Sequence, residues 1–279
     1  MNVAVTGASG FIGRFLMERL RASGHQVTAV SLRTQPQPEV FAGCHAVVNL
    51  AGEPIVQRWT AAARERILNS RVQGTHSLVD ALRQLPPAVL VSASAIGYYG
   101  SRGDEILTED SPAASDFLGQ VAIDWEREAR AAEQFGVRVV ILRSGIVLGP
   151  GGGALAQMLP PFRLGVGGRL GTGEQWMSWI ALDDLVSLIE FAILSPDLSG
   201  PVNAVAPNPV TNSVFTRELA AALHRPAIIP VPAFALKILF GEMSQALLAS
   251  QRVIPQAALR AGFQFQFPQL GEALRNAII

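Results

Sequence analysis

Thr6-Gly7-Ala8-Ser9-Gly10-Phe11-Ile12-Gly13 follows the apolar run Val3-Ala4-Val5 directly and opens a stretch carrying Phe11, Ile12, Phe15, Leu16 and Leu20 at helical spacing. A strand that turns through three glycines into an amphipathic helix leaves few folds open. Gly7 permits a tight turn, Gly10 lets backbone approach a pyrophosphate, and Gly13 allows helix and strand to pack closely. Ser9, Phe11 and Ile12 complete the loop, and the helix N-terminus presents unpaired amides to phosphate charge.

The rest of the chain continues the pattern. Val27-Thr28-Ala29-Val30, Ala46-Val47-Val48, Val89-Leu90-Val91 and Val137 to Leu142 read as further strands, with helices near 11–22, 60–84 and 117–135 between them. Continuously apolar strands alternating with amphipathic helices predict a parallel sheet covered on both faces. The expected class is α/β, a Rossmann doubly wound parallel sheet. After Leu148 the text turns to Gly-Pro-Gly-Gly-Gly and a glycine-dense segment at 165–173, which reads as loops and short strands of a smaller C-terminal lobe. Because 178–194 reads as a strand and helix returning to the first sheet, the lobes are expected to interleave. Residues 1–148 with about 176–206 would bind the dinucleotide, and about 149–175 with 207–279 would form the substrate lobe.

The second strand bears on the choice of cofactor. An NAD site usually has an acid there for the ribose 2′-hydroxyl, but this end reads Val30-Ser31-Leu32-Arg33-Thr34, with no acid before Glu39. A guanidinium and a hydroxyl suit a 2′-phosphate, so Ser31 and Arg33 point to NADP(H), with Arg14 as a helper.

Charge argues against large anionic partners. The 279 residues hold 22 acids and 22 bases and are 49% hydrophobic, so nothing suggests nucleic acid, and the expected partner is a small molecule. A homo-oligomer is left open. No basic stretch followed by an apolar core and cleavage site marks the N-terminus as a signal peptide, and 226–249 is too interrupted to span a bilayer. With Cys44 as the single cysteine, these features suit the cytoplasm. Histidines at 25, 45, 76 and 224 lack metal-ligand spacing, so no metal is assigned.

Asn49-Leu50-Ala51-Gly52 after the third strand, "SRVQGTHSL", "SASAIGYYG", "FLGQVAIDWE" and "RSGIVLGPGG" together resemble the short-chain dehydrogenase/reductase superfamily in its extended, epimerase-like branch. More narrowly, "NLAGEPIVQRWT", "GVGGRLGTGEQWMSWI" and "MSQALLASQRVIPQAALRAGFQFQFP" resemble its atypical NAD(P)-dependent epimerase-family proteins with a C-terminal domain of unknown function. The resemblance covers essentially the whole chain. It implies Leu50, Ala51 and Gly52 as cofactor contacts and Ser94 at the place of the superfamily's catalytic serine. It also exposes a departure: the catalytic Tyr and Lys would fall at about Leu118 and Ala122, and the only lysine is Lys237.

Without that lysine a tyrosine, titrating near 10, loses the usual means of exchanging a proton at neutral pH. Ser94, Tyr98 and Tyr99 are the remaining catalytic candidates, with an aromatic lid as the equal alternative for the tyrosines. Glu53 is a candidate acid or base, and Arg58 and Arg71 candidate anion ligands, unless Glu53 pairs with an arginine in a structural bridge. Gln175, Trp176 and Trp179 are expected along the substrate cleft, though a tryptophan in such a place is commonly core. Asp183 and Asp184 read as helix N-caps. Two functions stand: an NADP(H)-dependent oxidoreductase or epimerase-like enzyme acting on a small carbonyl or sugar-like substrate, or a catalytically silent NADPH-binding sensor.

Overall fold

The computed structural model describes residues 1–227 and 229–278. Six parallel strands form the central sheet: β1 (Asn2–Thr6), β2 (Gln26–Val30), β3 (Ala46–Asn49), β4 (Val89–Ala95), β5 (Arg138–Ser144) and β6 (Gly200–Ala204). Their order is β6-β5-β4-β3-β1-β2, which places the reversal of direction between β1 and β3. In such sheets, ligands bind at the carboxyl ends of the strands beside that reversal.

Helices cover both faces. α1 (Phe11–Ala22) lies on one face, whereas α2 (Ala61–Leu82) and α3 (Phe117–Arg130) cover the other. The apolar runs are continuous because neither face meets water: Val89 and Val91 point into the α1 side, Leu90 into the α2 and α3 side, and all three are fully buried. α3 gives way to a 3₁₀ segment over Ala131–Phe135, so the regular helix is shorter than its periodicity predicts.

Beyond β5 come α4 (Gly153–Arg163), α5 (Leu182–Leu194), α6 (Asn212–Ala222), α7 (Ala233–Phe240) and α8 (Leu270–Ile278). α5 returns to the first face and packs in the same core as α1. The strand expected from Ser178 is the short segment Trp179–Ala181, which pairs with Ile146–Leu148 outside the main sheet. Asp183 and Asp184 do not cap α5, whose N-cap is Ala181. Asp184 is buried instead and accepts the Gln266 and Phe267 backbone N–H groups at 2.7 and 3.0 Å, tying the C-terminal segment to α5. Burial raises its carboxyl pKa, and those two bonds oppose the rise.

α8 and α6 enclose a separate core with Trp179, Phe215 and Leu274. α7 lies on the surface, with Leu236 as its buried residue and Lys237 exposed. Among the described residues, no helix is long and apolar enough to cross a membrane.

Candidate active site

At the reversal point the phosphate loop is a tight cradle. Gly7 has φ +67°, and a Cβ there would stand 2.7 Å from the Leu50 carbonyl carbon and 2.9 Å from the Ala51 nitrogen. The first glycine therefore lets the β1 and β3 loops touch. A Cβ on Gly13 would overlap the Gly7 carbonyl oxygen and lie 2.8 Å from the Ala8 Cα, whereas one on Gly10 would meet just that carbonyl oxygen, at 3.1 Å. Space over Gly10 with α1 beginning at Phe11 is a cradle that fits a pyrophosphate. The Gly-Gly pair at 152–153 has a packing reason as well: the Phe11 ring occupies the room their side chains would need.

Polar bonds fix the strand ends beneath this cradle. The Thr6 hydroxyl donates to Asn49 Oδ1 at 2.6 Å, and Asn49 Nδ2 and Trp125 Nε1 both donate to the Thr75 hydroxyl at 2.9 Å. At the end of β2, Ser31 and Arg33 are both exposed, and the Ser31 hydroxyl oxygen accepts the Arg33 backbone N–H at 3.2 Å.

Beside Gly52 stands Arg71. Its guanidinium carbon would lie 3.2 Å from a Cβ on Gly52 and sits 5.1 Å from the Trp125 ring centroid. Nη1 donates to the Ile67 carbonyl at 3.2 Å, and among the described residues no carboxylate lies within 4 Å of the group. Burial brings its pKa down to about 10, opposed by the charge of Glu53. Glu53 itself lies 3.7 Å from Arg66, and its backbone N–H donates to the Ser70 hydroxyl. The buried pair expected between Glu53 and Arg58 or Arg71 does not form; Glu53 instead meets Arg66 on the surface of α2, five residues before Arg71.

The stretch 92–100 divides differently from expectation. Alternation along β4 turns Ser92 and Ser94 toward α2 and α3 and leaves Ala93 and Ala95 on the other face, with Ala95 exposed. Ser94 is 4% exposed, and its hydroxyl donates to Glu126 Oε1 on α3 at 2.7 Å. Arg143 Nε and Nη2 grip the same carboxylate, both at 2.8 Å, while Nη1 donates to the Tyr99 hydroxyl oxygen at 3.0 Å and the Glu109 carbonyl at 3.2 Å. The Tyr99 hydroxyl donates to Asn203 Oδ1 at 2.6 Å, and Asn203 Nδ2 donates to the Ile254 carbonyl. Glu109 Oε1 accepts the backbone N–H groups of Asn203 and Ala257.

Ser94 and Tyr99 are therefore corrected from open catalytic groups to members of a closed polar network. Tyr99 is fully buried. The sequence reading missed Glu126, Arg143, Asn203 and Glu109, although an arginine closing the apolar run Val139 to Leu142 and an asparagine inside β6 each called for a buried partner.

Burial pushes the Tyr99 phenol up to about 12, against the pull of the Arg143 charge. The folded state holds this proton after an unfolded tyrosine, titrating near 10, has released it. Stability is unaffected by Tyr99 below pH 10 and falls as pH rises from 10 toward 12, by about 1.4 kcal/mol per unit. Urea midpoints at pH 9.5 and 11 should fall further in the wild type than in Tyr99→Phe; equal falls would remove Tyr99 as the cause.

Tyr98 is the tyrosine left half-buried. The Arg143 guanidinium carbon lies 3.5 Å from its ring centroid, the Tyr99 ring meets it edge-on at 5.3 Å, and among the described residues its hydroxyl has no hydrogen-bond partner. Leu118, at the expected tyrosine position, sits beside the same turn, with its Cβ 3.3 Å from where a Cβ on Gly97 would stand. Ala122 is buried below it.

The second lobe contributes less than expected. Trp179 is fully buried with its indole N–H on the Asn208 carbonyl, so it is core and not cleft. Gln175 is buried and donates to the Leu170 carbonyl at 3.1 Å. Trp176 Nε1 donates to Asp104 at 2.7 Å beneath the Arg252 guanidinium, fastening the 101–105 loop to the lobe. Arg58 reaches the turn at Gly241, and Arg64 pairs with Glu242, so this side of the cleft is closed by contacts from α2 to the turn after α7.

A glycine cradle at the reversal point of a six-stranded parallel sheet defines a dinucleotide-binding protein of the doubly wound class. The chain belongs to the NAD dependent epimerase/dehydratase family, whose model matches residues 3–205, and residues 231–277 match a domain of unknown function, DUF1731. It is 42% identical to the epimerase family protein SDR39U1 homolog, chloroplastic, of Arabidopsis thaliana, covering 99% of this chain and 86% of that one. The epimerase family protein YfhF of Bacillus subtilis is 36% identical, covering 100% and 98%. Among solved structures, human epimerase family protein SDR39U1 (isoform 2) with NADPH matches with a TM-score of 0.91 and 38% identity, over 99% of both chains.

Proposed function

We propose that the protein binds NADP(H) across the carboxyl edge of the sheet and transfers a hydride to or from a small substrate carrying a carbonyl or alcohol together with an anionic group. The observation that carries the substrate class is Arg71, a largely buried guanidinium beside Gly52 with no carboxylate within 4 Å among the described residues. A buried cation so weakly compensated costs stability unless a ligand completes it. The cofactor reading is supported by exposed Ser31 and Arg33, by the lack of an acid at the end of β2, and by the NADPH in the human relative's structure.

When bound, the dinucleotide supplies or accepts the hydride. The chain's residues do the remainder. Backbone amides of the phosphate loop hold the pyrophosphate, Arg33 and Ser31 hold the 2′-phosphate, and Arg71 orients the substrate through its anionic group. Leu118, beside Gly97 where the superfamily's tyrosine would fall, offers the substrate an aliphatic contact. The Tyr98 hydroxyl exchanges the proton at the substrate oxygen, its ring held in place by Arg143.

NADPH should bind at least about 10-fold more tightly than NADH, a difference of about 1.4 kcal/mol, and Arg33→Ala should erase the preference. In a panel of carbonyl acids and their amides, NADPH oxidation should favour the acids, and Arg71→Met should remove that discrimination while leaving NADPH affinity intact. Equal affinities overturn the cofactor reading. No turnover of any panel member by protein that binds NADPH overturns hydride transfer.

A further inference from the structure

We propose that the second lobe carries a separate binding site for a phosphate-bearing small molecule, formed by Arg169, Arg217 and Arg225 around a surface cavity of about 500 Å³. Ser213, Thr216, Arg217, Ala220 and Ala221 fall at positions i, i+3, i+4, i+7 and i+8 of α6, so one helix face makes the floor. Arg169, Arg225, Ala227 and Pro230 make the walls. The volume suits a sugar phosphate or a diphosphate.

The charge is one-sided. Among the described residues, three guanidiniums line the cavity and no acid does. Within the same residues, Arg169 and Arg225 have no carboxylate within 4 Å, and Arg217 has its chain neighbour Glu218 alone, at 3.7 Å. Elsewhere Arg19, Arg64, Arg102, Arg127 and Arg143 are each matched to an acid. The adjoining depression, which shares α6, mixes Glu218 and Glu272 with Arg275. Planar guanidiniums bind phosphate oxygens in pairs, and two hydroxyls in the floor, with Thr216 buried, add donors of the same use.

Arg225 is also held in position. The Arg225 N–H donates to the Ala220 carbonyl at 3.0 Å and the His224 N–H to the Ala221 carbonyl at 3.1 Å, the bond pair of a Schellman turn. His224 fills the left-handed place with φ 53°, where glycine is usual, so the turn accepts a conformational cost to fold Arg225 back over α6. The backbone at Arg169 is held by an isolated bridge in which the Val231 N–H donates to its carbonyl at 2.8 Å.

Isothermal titration with inorganic pyrophosphate, at ionic strength held constant with chloride, tests the site. The titration is run with and without saturating NADPH, because the phosphate loop is the rival location. Binding at one equivalent that persists with NADPH and weakens at least about 10-fold in Arg217→Gln/Arg225→Gln is the expected result. NADPH affinity should be equal in the two proteins. Orthophosphate binding to the same arginines would assign a phosphomonoester, and pyrophosphate alone a diphosphate. No binding above the chloride background, or binding unchanged in the double variant, overturns the proposal.

Discussion

Arg143→Met should destabilise the protein by about 3–5 kcal/mol, the cost of leaving a buried charge without its partner. Glu126 is 5% exposed and takes two of its three close bonds from Arg143 and the third from Ser94. With the guanidinium gone, the carboxylate keeps one hydroxyl donor and no positive charge. Burial works against the charge on Arg143, yet Glu126 and Tyr99 together more than offset it and hold the group firmly protonated. The variant therefore loses the ion pair, the bond to Tyr99, and the surface against which the Tyr98 ring lies. Replacing both partners, Arg143→Met with Glu126→Leu, removes the stranded charge, and much of the loss should return. Urea unfolding of the two variants measures both effects. A loss below about 1 kcal/mol in the single variant would mean that water reaches Glu126 and the network is not closed.

Gly10→Ala and Gly13→Ala should separate binding from folding at the phosphate loop. A Cβ at position 10 would meet one carbonyl oxygen at 3.1 Å and otherwise point into the cradle, so the fold should tolerate it while NADPH affinity drops about 100-fold, or about 2.7 kcal/mol. A Cβ at position 13 has no such room. It overlaps the Gly7 carbonyl and crowds Ala8, forcing α1 off β1, so Gly13→Ala should lose both stability, by about 1–3 kcal/mol, and NADPH binding. Thermal midpoints together with fluorescence titration of NADPH check the pair. Undiminished NADPH affinity in Gly10→Ala would place the pyrophosphate elsewhere.

The features readable in the chain were those set by local rules. Apolar runs gave the strands β1 to β5 and helical spacing gave α1 to α3, because burial on both faces is written in neighbouring residues. The phosphate loop was equally legible, since its three glycines answer contacts within one turn and with the adjacent loop. Ser94 shows where the reading failed. Its place at the end of a strand was visible, but the face was not used: two residues on from Ser92, it had to share that side chain's direction toward α3. Glu126 and Arg143 were out of reach for another reason, since each looks ordinary until the chain brings together two positions 17 apart. Asp184 is a longer case, because its partners lie 82 and 83 residues away and nothing nearby distinguishes it from a helix cap.

The solitary lysine has a practical meaning. Lys237 stands exposed on α7, in the C-terminal region. Neither the phosphate loop nor the stretch 92–100 contains a lysine, so neither segment can trap an aldehyde substrate as a lysine adduct. Once the N-terminal amine is blocked, an amine-directed dye or surface linker has this one side chain to modify, which gives a defined attachment point for following cofactor binding.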